Sequence, residues 1–239
     1  MQGLRNAFGL LPWTDWVALA WFVGAWVGYA QFARRRAEQR PSVLAATNRI
    51  RREWMLQATY RDVRVVDGVV VQNLSASPSF FASTTILIIG GLLAVLGTTE
   101  KTTDLVREIP FVARTSMLVF DLKIGLLLLV FIYAFFRFTW SLRQYTFGAL
   151  LVGSAPAPEV FDTDDASRQR FADRAGGVMG LAAETFNAGL RAYYMAFAAI
   201  GWFVSPLVFA LATAGVVAVL YLREFNSDVL VLLRGDVPR

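Results

Sequence analysis

Four long apolar runs dominate this sequence of 239 residues and limit what it can fold into. A helix of about 20 residues, rising about 1.5 Å per residue, crosses the hydrocarbon core of a bilayer. The runs therefore predict an all-α, polytopic membrane protein with four transmembrane helices in a single membrane domain covering residues 1–239. The predicted spans are residues 16–33, 79–97, 117–136 and 193–222.

Composition narrows the chemistry that the chain can perform. Hydrophobic residues make up 56% of it, and it contains neither cysteine nor histidine. Disulfides, thiolate nucleophiles and the usual zinc and copper ligand sets are therefore excluded. The sequence also lacks the motifs of serine hydrolases, phosphate-binding loops and dinucleotide-binding turns. We therefore expect no metal, no cofactor and no enzymatic activity. An enzyme that acts on lipid would need an acid or nucleophile beside Glu184, and the sequence does not reveal one.

The distribution of basic residues predicts how the chain is oriented. Arginines at 34–36 follow the first run and no A-x-A cleavage motif comes after them, which favours an uncleaved span over a signal peptide. Nine arginines lie in residues 34–78 and six in 137–192, against seven basic residues in the outer segments. The positive-inside bias places those two segments in the cytoplasm and both chain ends on the non-cytoplasmic side of a bacterial inner membrane. The net charge of +5 then needs no nucleic-acid partner.

An amphipathic helix is predicted in the first cytoplasmic segment. Ile50, Trp54, Gln57 and Tyr60 recur at helical spacing within residues 43–64. Because this segment is rich in arginine, we expect it to lie near the headgroups of anionic lipids.

The second cytoplasmic segment is also predicted to be helical. The third span is expected to continue inward through Tyr145 before a bend at 153–158. Acidic residues at 162–165 then predict the start of a polar helix that leads into the last span. Residues 98–116, with balanced charge, are expected to form an external connection.

Two prolines predict changes in helix course. Ser77 and Pro78 are typical of a helix start and predict the beginning of the second span. The last apolar run, 31 residues from 192 to 222, is longer than a bilayer core requires. A helix kink at Pro206 is therefore predicted.

Small residues recur on single faces of three predicted spans. Such faces let helix backbones approach closely in lipid. They indicate either packing within the chain or a subunit interface in a homo-oligomer. The faces consist of Ala20, Gly24 and Gly28, of Ser83, Gly90, Ala94 and Gly97, and of Ala210, Ala214 and Ala218.

Polar residues inside the spans are candidates for a pore or a polar network. Asp121 and Lys123 are ionisable, and burying such a group at mid-depth costs about 2.5–3.5 kcal/mol or more. Two residues apart on a helix, they cannot face each other, so each needs another partner. Structural pairing and a pore role are both open for them. Ser83, Thr84 and Thr85 either line a hydrated path or bond to carbonyls of the preceding turn.

A second polar set lies at the predicted cytoplasmic ends of the last two spans. The spacing places each half of the set along one helix face, so that Glu184 can pair with a basic residue of the other half. The set indicates either a structural network or a site for an anion or lipid headgroup, for which guanidinium groups are suited. Its members are Arg137, Arg143 and Gln144 on one helix and Glu184, Asn187 and Arg191 on the other.

Several blocks of the sequence resemble the DUF599 family of bacterial membrane proteins of unknown function. The resemblance implies a multi-span inner-membrane protein and brings no activity, substrate or catalytic residue with it. The blocks are residues 48–54 (NRIRREW), 79–97, 133–144 (YAFFRFTWSLRQ), 151–156 (LVGSAP) and 187–224.

Two functional hypotheses follow. The first is a homo-oligomeric channel-like or transport-type protein whose basic cytoplasmic vestibule attracts anions. The second is a non-transporting scaffold or accessory subunit of a membrane complex, in which helices at 43–64 and 164–190 dock a partner or anionic lipid.

Overall fold

The computed structural model describes residues 11–37, 42–98, 117–162 and 164–234. Within these ranges the chain is helical and contains no strand. The helices are α1 (Trp13–Ala37), α2 (Val43–Ala58), α3 (Val65–Gly97), α4 (Met117–Gly153), α5 (Pro158–Phe161), α6 (Asp165–Ile200), α7 (Pro206–Phe225) and α8 (Asp228–Arg234). A 3₁₀ turn, Gly201–Phe203, lies between α6 and α7. The predicted external connection lies, apart from Thr98, outside the described residues.

Four helical stretches are long and apolar enough to cross a membrane. They are Trp13–Arg35 in α1, Val65–Gly97 in α3, Met117–Gly153 in α4, and Pro206–Leu233, which begins with α7. The predicted all-α, polytopic fold with four such helices is confirmed. The helical continuation of the third span through Tyr145 is also confirmed, because α4 ends only at Gly153.

The second span does not begin at Pro78, as the sequence predicts. Helix α3 starts at Val65 and contains Pro78 in its interior. Proline removes one helical hydrogen bond and crowds the preceding turn. The helix continues through it because its first half is held by tertiary packing: Val71 is buried in a cluster with Met55 and Tyr145.

The predicted kink at Pro206 is a full break between two helices. Helix α6 ends at Ile200, and α7 begins with Pro206 as its first residue. Ser205 precedes it as a cap, since its hydroxyl accepts a hydrogen bond from the backbone N–H of Val208 at 3.1 Å. Proline is favoured at this first position because it has no N–H to leave unpaired.

The chain divides into two compact units. Unit 1 comprises residues 1–34, 85–134 and 190–221, and unit 2 comprises residues 35–84, 135–189 and 222–239. Unit 1 holds nearly all residues of the predicted spans. Unit 2 holds nearly all residues of the two segments predicted to be cytoplasmic.

Within unit 1, α7 runs parallel to α1. The ring centres of Phe22 and Phe209 lie 4.9 Å apart. Further along both helices, the ring centres of Phe32 and Tyr221 lie 6.2 Å apart. The C-terminal ends of α1 and α7 therefore lie at the same end of unit 1. A single kinked span over 193–222 would instead have ended beside the start of α1.

The reversal takes place between α6 and α7. The end of α6 runs antiparallel to α4. The ring centres of Phe131 and Tyr193 lie 5.1 Å apart, and those of Phe120, earlier in the chain, and Phe203, later in the chain, lie 5.7 Å apart. After the 3₁₀ turn, α7 travels back. The last apolar run thus forms the two arms of a hairpin rather than one long helix.

In unit 2, helix α2 is shorter than predicted. It ends at Ala58 rather than at residue 64. Leu44, Met55 and Ala58 are buried, whereas Ile50 is exposed, as is Tyr60 in the following turn. Of the residues that recur at helical spacing, Trp54 packs against the buried cluster of unit 2.

Two glycines of α6 explain which face of α2 turns inward. A Cβ atom on Gly176 would lie 2.8 Å from Cα of Arg52, and one on Gly180 would lie 2.9 Å from Oδ1 of Asn48. Only glycine permits so close an approach of two helices. The face of α2 that carries Asn48 and Arg52 is thus held against α6.

Candidate functional site

A buried polar cluster in unit 1 contains the predicted candidate Lys123. Its ammonium group donates a hydrogen bond to the backbone carbonyl of Trp202 at 2.8 Å. The indole N–H of Trp202 donates to Oδ1 of Asp15 at 2.6 Å. Lys123, Asp15 and Trp202 are 3%, 6% and 2% exposed. We call these three residues the Lys123 cluster.

Helix ends explain why these charges are tolerated in an apolar unit. Trp202 lies just beyond the end of α6, where carbonyls lack helical partners and the helix dipole is negative, so a cation is favoured there. Asp15 lies in the first turn of α1, where the dipole favours an anion. Each charge also attracts the other. The cluster therefore fastens α1, α4 and the reversal between α6 and α7 to one another.

The other candidates in the spans are separated by the structure. Asp121 is half-buried on α4, and Ser83 is exposed on α3. Thr84 bonds to the carbonyl of Phe80 in the preceding turn at 2.9 Å, one of the two roles predicted for it. Thr85 is buried and shares a 2.7 Å hydrogen bond with the hydroxyl of Tyr193.

The candidates at the inner helix ends fall into both units. Arg191 belongs to unit 1, where its guanidinium lies 5.9 Å from the ring centre of Tyr29. The other five belong to unit 2. Arg143 is exposed and its guanidinium lies over the ring of Phe147. Oε1 of Gln144 is buried without a hydrogen-bond partner in the described part of the chain. Arg137, Glu184 and Asn187 are half-buried.

The glycines of the small-residue faces meet no neighbour among the described residues. A Cβ atom on Gly24, Gly28, Gly90 or Gly97 would meet no heavy atom of the described structure within 4 Å. Ala214 and Ala218 are likewise exposed on α7. Within the described ranges, these glycines therefore do not form packing contacts between helices of the chain.

Two arginines of unit 2 that sequence analysis did not single out act as clamps. Arg64 donates to the carbonyls of Ala58, Ala155 and Pro156 at 2.7–3.0 Å. Arg168, only 3% exposed, donates to the carbonyl of Thr59 at 2.7 Å, to that of Pro158 at 3.0 Å and to the carboxylate of Asp162. Its guanidinium also lies 4.1 Å from the ring centre of Tyr60. Both clamps join the turn after α2 to the segment after α4.

A buried carboxylate near the start of α3 was also missed. Asp67 is completely buried and accepts hydrogen bonds from the indole of Trp54 at 2.7 Å and from the guanidinium of Arg61. Its position in the first turn of α3 places it at the positive end of the helix dipole. Asp67 could have been found from its place within an otherwise apolar stretch, VVDGVVV.

Arg51 differs from the arginine clamps in its partners. It is half-buried on the inward face of α2, and its one hydrogen bond in the described structure goes to Oδ1 of Asn48 at 2.9 Å. No carboxylate of the described residues forms an ion pair with it. Burial lowers the pKa of the Arg51 guanidinium from its ordinary value. The charge is thus partly desolvated without a compensating anion.

Comparison with known proteins adds the family. The chain matches the model of DUF599, described as a protein of unknown function, over residues 17–229. No curated protein and no solved structure matches the chain. The match includes all of α3 and α4, most of the first and last membrane-compatible stretches and both arginine clamps, so the chain belongs to the DUF599 family.

Proposed function

We propose that the protein is a homo-oligomeric membrane protein of channel-like or transport type in the bacterial inner membrane. The observation that carries this proposal is the unoccupied small-residue face of α3. Ser83, Gly90, Ala94 and Gly97 all point away from the rest of the described chain.

Glycine in a helix facing lipid brings no packing benefit. Relative to alanine it destabilises a helix by about 1 kcal/mol. A face that contains Gly90 and Gly97 gains stability when the backbone of a neighbouring subunit approaches it. Ser83 on the same face adds a hydroxyl that either hydrogen-bonds across the interface or lines a polar path.

We further propose that α7 runs toward the cytoplasm, so that its C-terminal end lies on the cytoplasmic side. If the end of α6 crosses the bilayer as a fifth segment, the C-terminal end of α7 lies on the same side as that of α1. Arg223, Arg234 and Arg239 then move to the inner side, which raises the inner count of basic residues from fifteen to eighteen and lowers the outer count from seven to four. This strengthens the positive-inside bias that supports the orientation.

The orientation can be tested directly because the chain has no cysteine. Thr14→Cys and Asn226→Cys introduce single thiols at exposed positions at the start of α1 and just after the end of α7. In intact spheroplasts, a membrane-impermeant maleimide should label Thr14→Cys at once and Asn226→Cys only after permeabilisation. Equal labelling of both from outside would overturn the proposed orientation.

Oligomerisation is tested with Gly90→Cys on the α3 face. Oxidation in native membranes should give a disulfide-linked dimer on a non-reducing gel. Leu129→Cys, on the exposed face of α4, is the matched control and should remain monomeric. A monomeric mass for the wild-type protein in native mass spectrometry would contradict the proposal.

Transport is tested separately in liposomes. We expect the purified wild-type protein to conduct a small anion such as chloride, measured with an entrapped chloride-sensitive dye. Gly90→Leu, which places a bulky side chain on the proposed interface, should abolish flux together with the oligomer. An oligomer without flux would exclude transport and favour the second function below.

A scaffold or accessory subunit is the alternative, and one surface of unit 2 favours it. Tyr60, Val63, Val65 and Val66 are each more than half exposed beside the Arg64 clamp. Exposed apolar residues next to arginines are typical of docking surfaces. Stoichiometric co-purification of a second protein that is lost in Val63→Ser would support this function over transport.

A further inference from the structure

Three arginines of unit 2 have hydrogen-bond or ion-pair partners within the chain that compensate their guanidinium groups. Arg64 and Arg168 each use at least three acceptors, chiefly backbone carbonyls. Arg61 is paired with the carboxylate of Asp67. Arg64 and Arg168 thus use most of their donors within the chain, and the charge of Arg61 is compensated by a carboxylate.

Arg51 is the contrasting case. A guanidinium has five N–H donors in a planar fork, and in the described structure Arg51 uses a donor only toward the amide oxygen of Asn48. A charge that is partly removed from water without an anion beside it is costly. A ligand that carries negative charge and several acceptor oxygens would offset this cost.

The surroundings of Arg51 hold its position. Gly180 of α6 lies against the Asn48 amide, so closely that a Cβ atom there would be 2.9 Å from Oδ1. The hydroxyl of Tyr145, a residue 3% exposed, interacts electrostatically with Arg51 from the side of α4. The amide orients the fork from one side, and a preorganised donor loses less entropy when it binds.

We propose that Arg51, oriented by Asn48, forms a binding site for a phosphate-type oxyanion. The guanidinium fork matches two oxygens of such a group, and charge-assisted bonds of this kind are about twice as strong as neutral ones. Asn48 lies six residues after Ser42, in the arginine-rich segment that the sequence predicts to lie near the headgroups of anionic lipids. The anion is the phosphate of an anionic lipid headgroup or free phosphate, and the two share the same chemistry.

The site stands apart from the proposed function, because it requires neither an oligomer nor transport. It also differs from the inner-end set predicted from the sequence, since neither Arg51 nor Asn48 belongs to that set. Arg52 provides an internal control. It follows Arg51 directly, carries the same charge and is exposed.

The experiment compares Arg51→Gln with Arg52→Gln in the full-length purified protein. One arm titrates inorganic phosphate into lipid-free detergent micelles by calorimetry. The other arm counts phosphatidylglycerol molecules that remain bound in native mass spectrometry, against phosphatidylcholine. We expect Arg51→Gln to weaken binding in one arm by about tenfold or more, and Arg52→Gln to change it less than about twofold.

The two arms separate the sources of the anion. Loss confined to the phosphatidylglycerol arm identifies a headgroup, and loss in the phosphate arm identifies a soluble anion. Arg51→Lys keeps the charge without the fork and should bind with intermediate affinity, which keeps the test valid if Arg51→Gln fails to fold. Equal losses in Arg51→Gln and Arg52→Gln, or no binding of either ligand by the wild type, would overturn the proposal.

Discussion

Trp202 and Asp15, 187 positions apart in the sequence, are joined by a 2.6 Å hydrogen bond from indole to carboxylate. The bond connects the start of α1 to the turn that reverses the chain after α6. Because Lys123 donates to the carbonyl of the same tryptophan, one residue receives support from two charged groups. This charged cluster therefore holds three segments of unit 1 together.

Removing the charge of Lys123 should destabilise the protein. In Lys123→Met the Trp202 carbonyl and the Asp15 carboxylate both lose a cation, which should lower the free energy of unfolding by about 3 kcal/mol. Thermal unfolding in detergent, followed by tryptophan fluorescence, measures the effect. Leu122→Met, an exposed neighbour, should unfold at nearly the wild-type temperature. Equal melting temperatures for the two variants would argue against the role of the cluster.

The approach of α2 to α6 predicts opposite effects at two adjacent glycines. Gly176→Ala forces a methyl group against the backbone of Arg52 and should cost about 1–3 kcal/mol. Gly177→Ala points into open space and should be neutral or stabilise the helix by up to about 1 kcal/mol. Comparing the two melting temperatures tests the contact. The prediction fails if Gly177→Ala is the more damaging change.

The Arg168 clamp predicts a large difference between two arginines of one helix turn. Arg168→Gln leaves the carbonyls of Thr59 and Pro158 without their donor, at a cost of about 2–3 kcal/mol. Arg170→Gln removes an exposed ion pair with Asp164, which contributes little to stability because water screens it. Limited proteolysis of the segment after α4 provides the readout. Cleavage there should rise in Arg168→Gln and remain at the wild-type level in Arg170→Gln.

Asp164 predicts a pH effect at the start of α6. The hydrogen bond from Arg170 holds the pKa of Asp164 below its ordinary value, aided by the backbone N–H groups of Ala166 and Ser167. A carboxylate with a lowered folded-state pKa adds stability above its unfolded pKa, and this is lost as the pH falls through the folded value.

Hydrogen exchange of residues 165–170 measures this effect. After correction for the intrinsic pH dependence of exchange, protection should fall on acidification, and in Arg170→Gln the fall should begin at a higher pH. Glu159, outside α6, provides the comparison, and Glu159→Gln should leave the profile unchanged. An identical profile in Arg170→Gln would show that the ion pair does not support the helix start.

Hydropathy was sufficient to predict four membrane-compatible helices, because it depends on nearby residues. The sequence misplaced the start of α3, and at Pro206 it predicted a kink where the structure has a full break. The direction of α7 could not be predicted in this way. It is determined by contacts such as Phe22 with Phe209, which no local pattern encodes.

The candidate polar residues show the same limit. Lys123 was recognised because an apolar run made its charge conspicuous, and its need for a partner was predicted correctly. The partner itself, a backbone carbonyl 79 positions away, carries no sequence signal. Arg51 was hidden among nine arginines of its segment, and only its lack of a carboxylate partner in the described structure distinguishes it.

The pairing of α1 with α7 also bears on how the protein is made. The ribosome synthesises the first helix long before residues 202 and 209. Asp15 and Phe22 therefore lack these partners for nearly the whole of translation. Until then the nascent chain holds an unsatisfied carboxylate and an uncovered aromatic face. A chain that ends before the reversal therefore lacks both of these contacts.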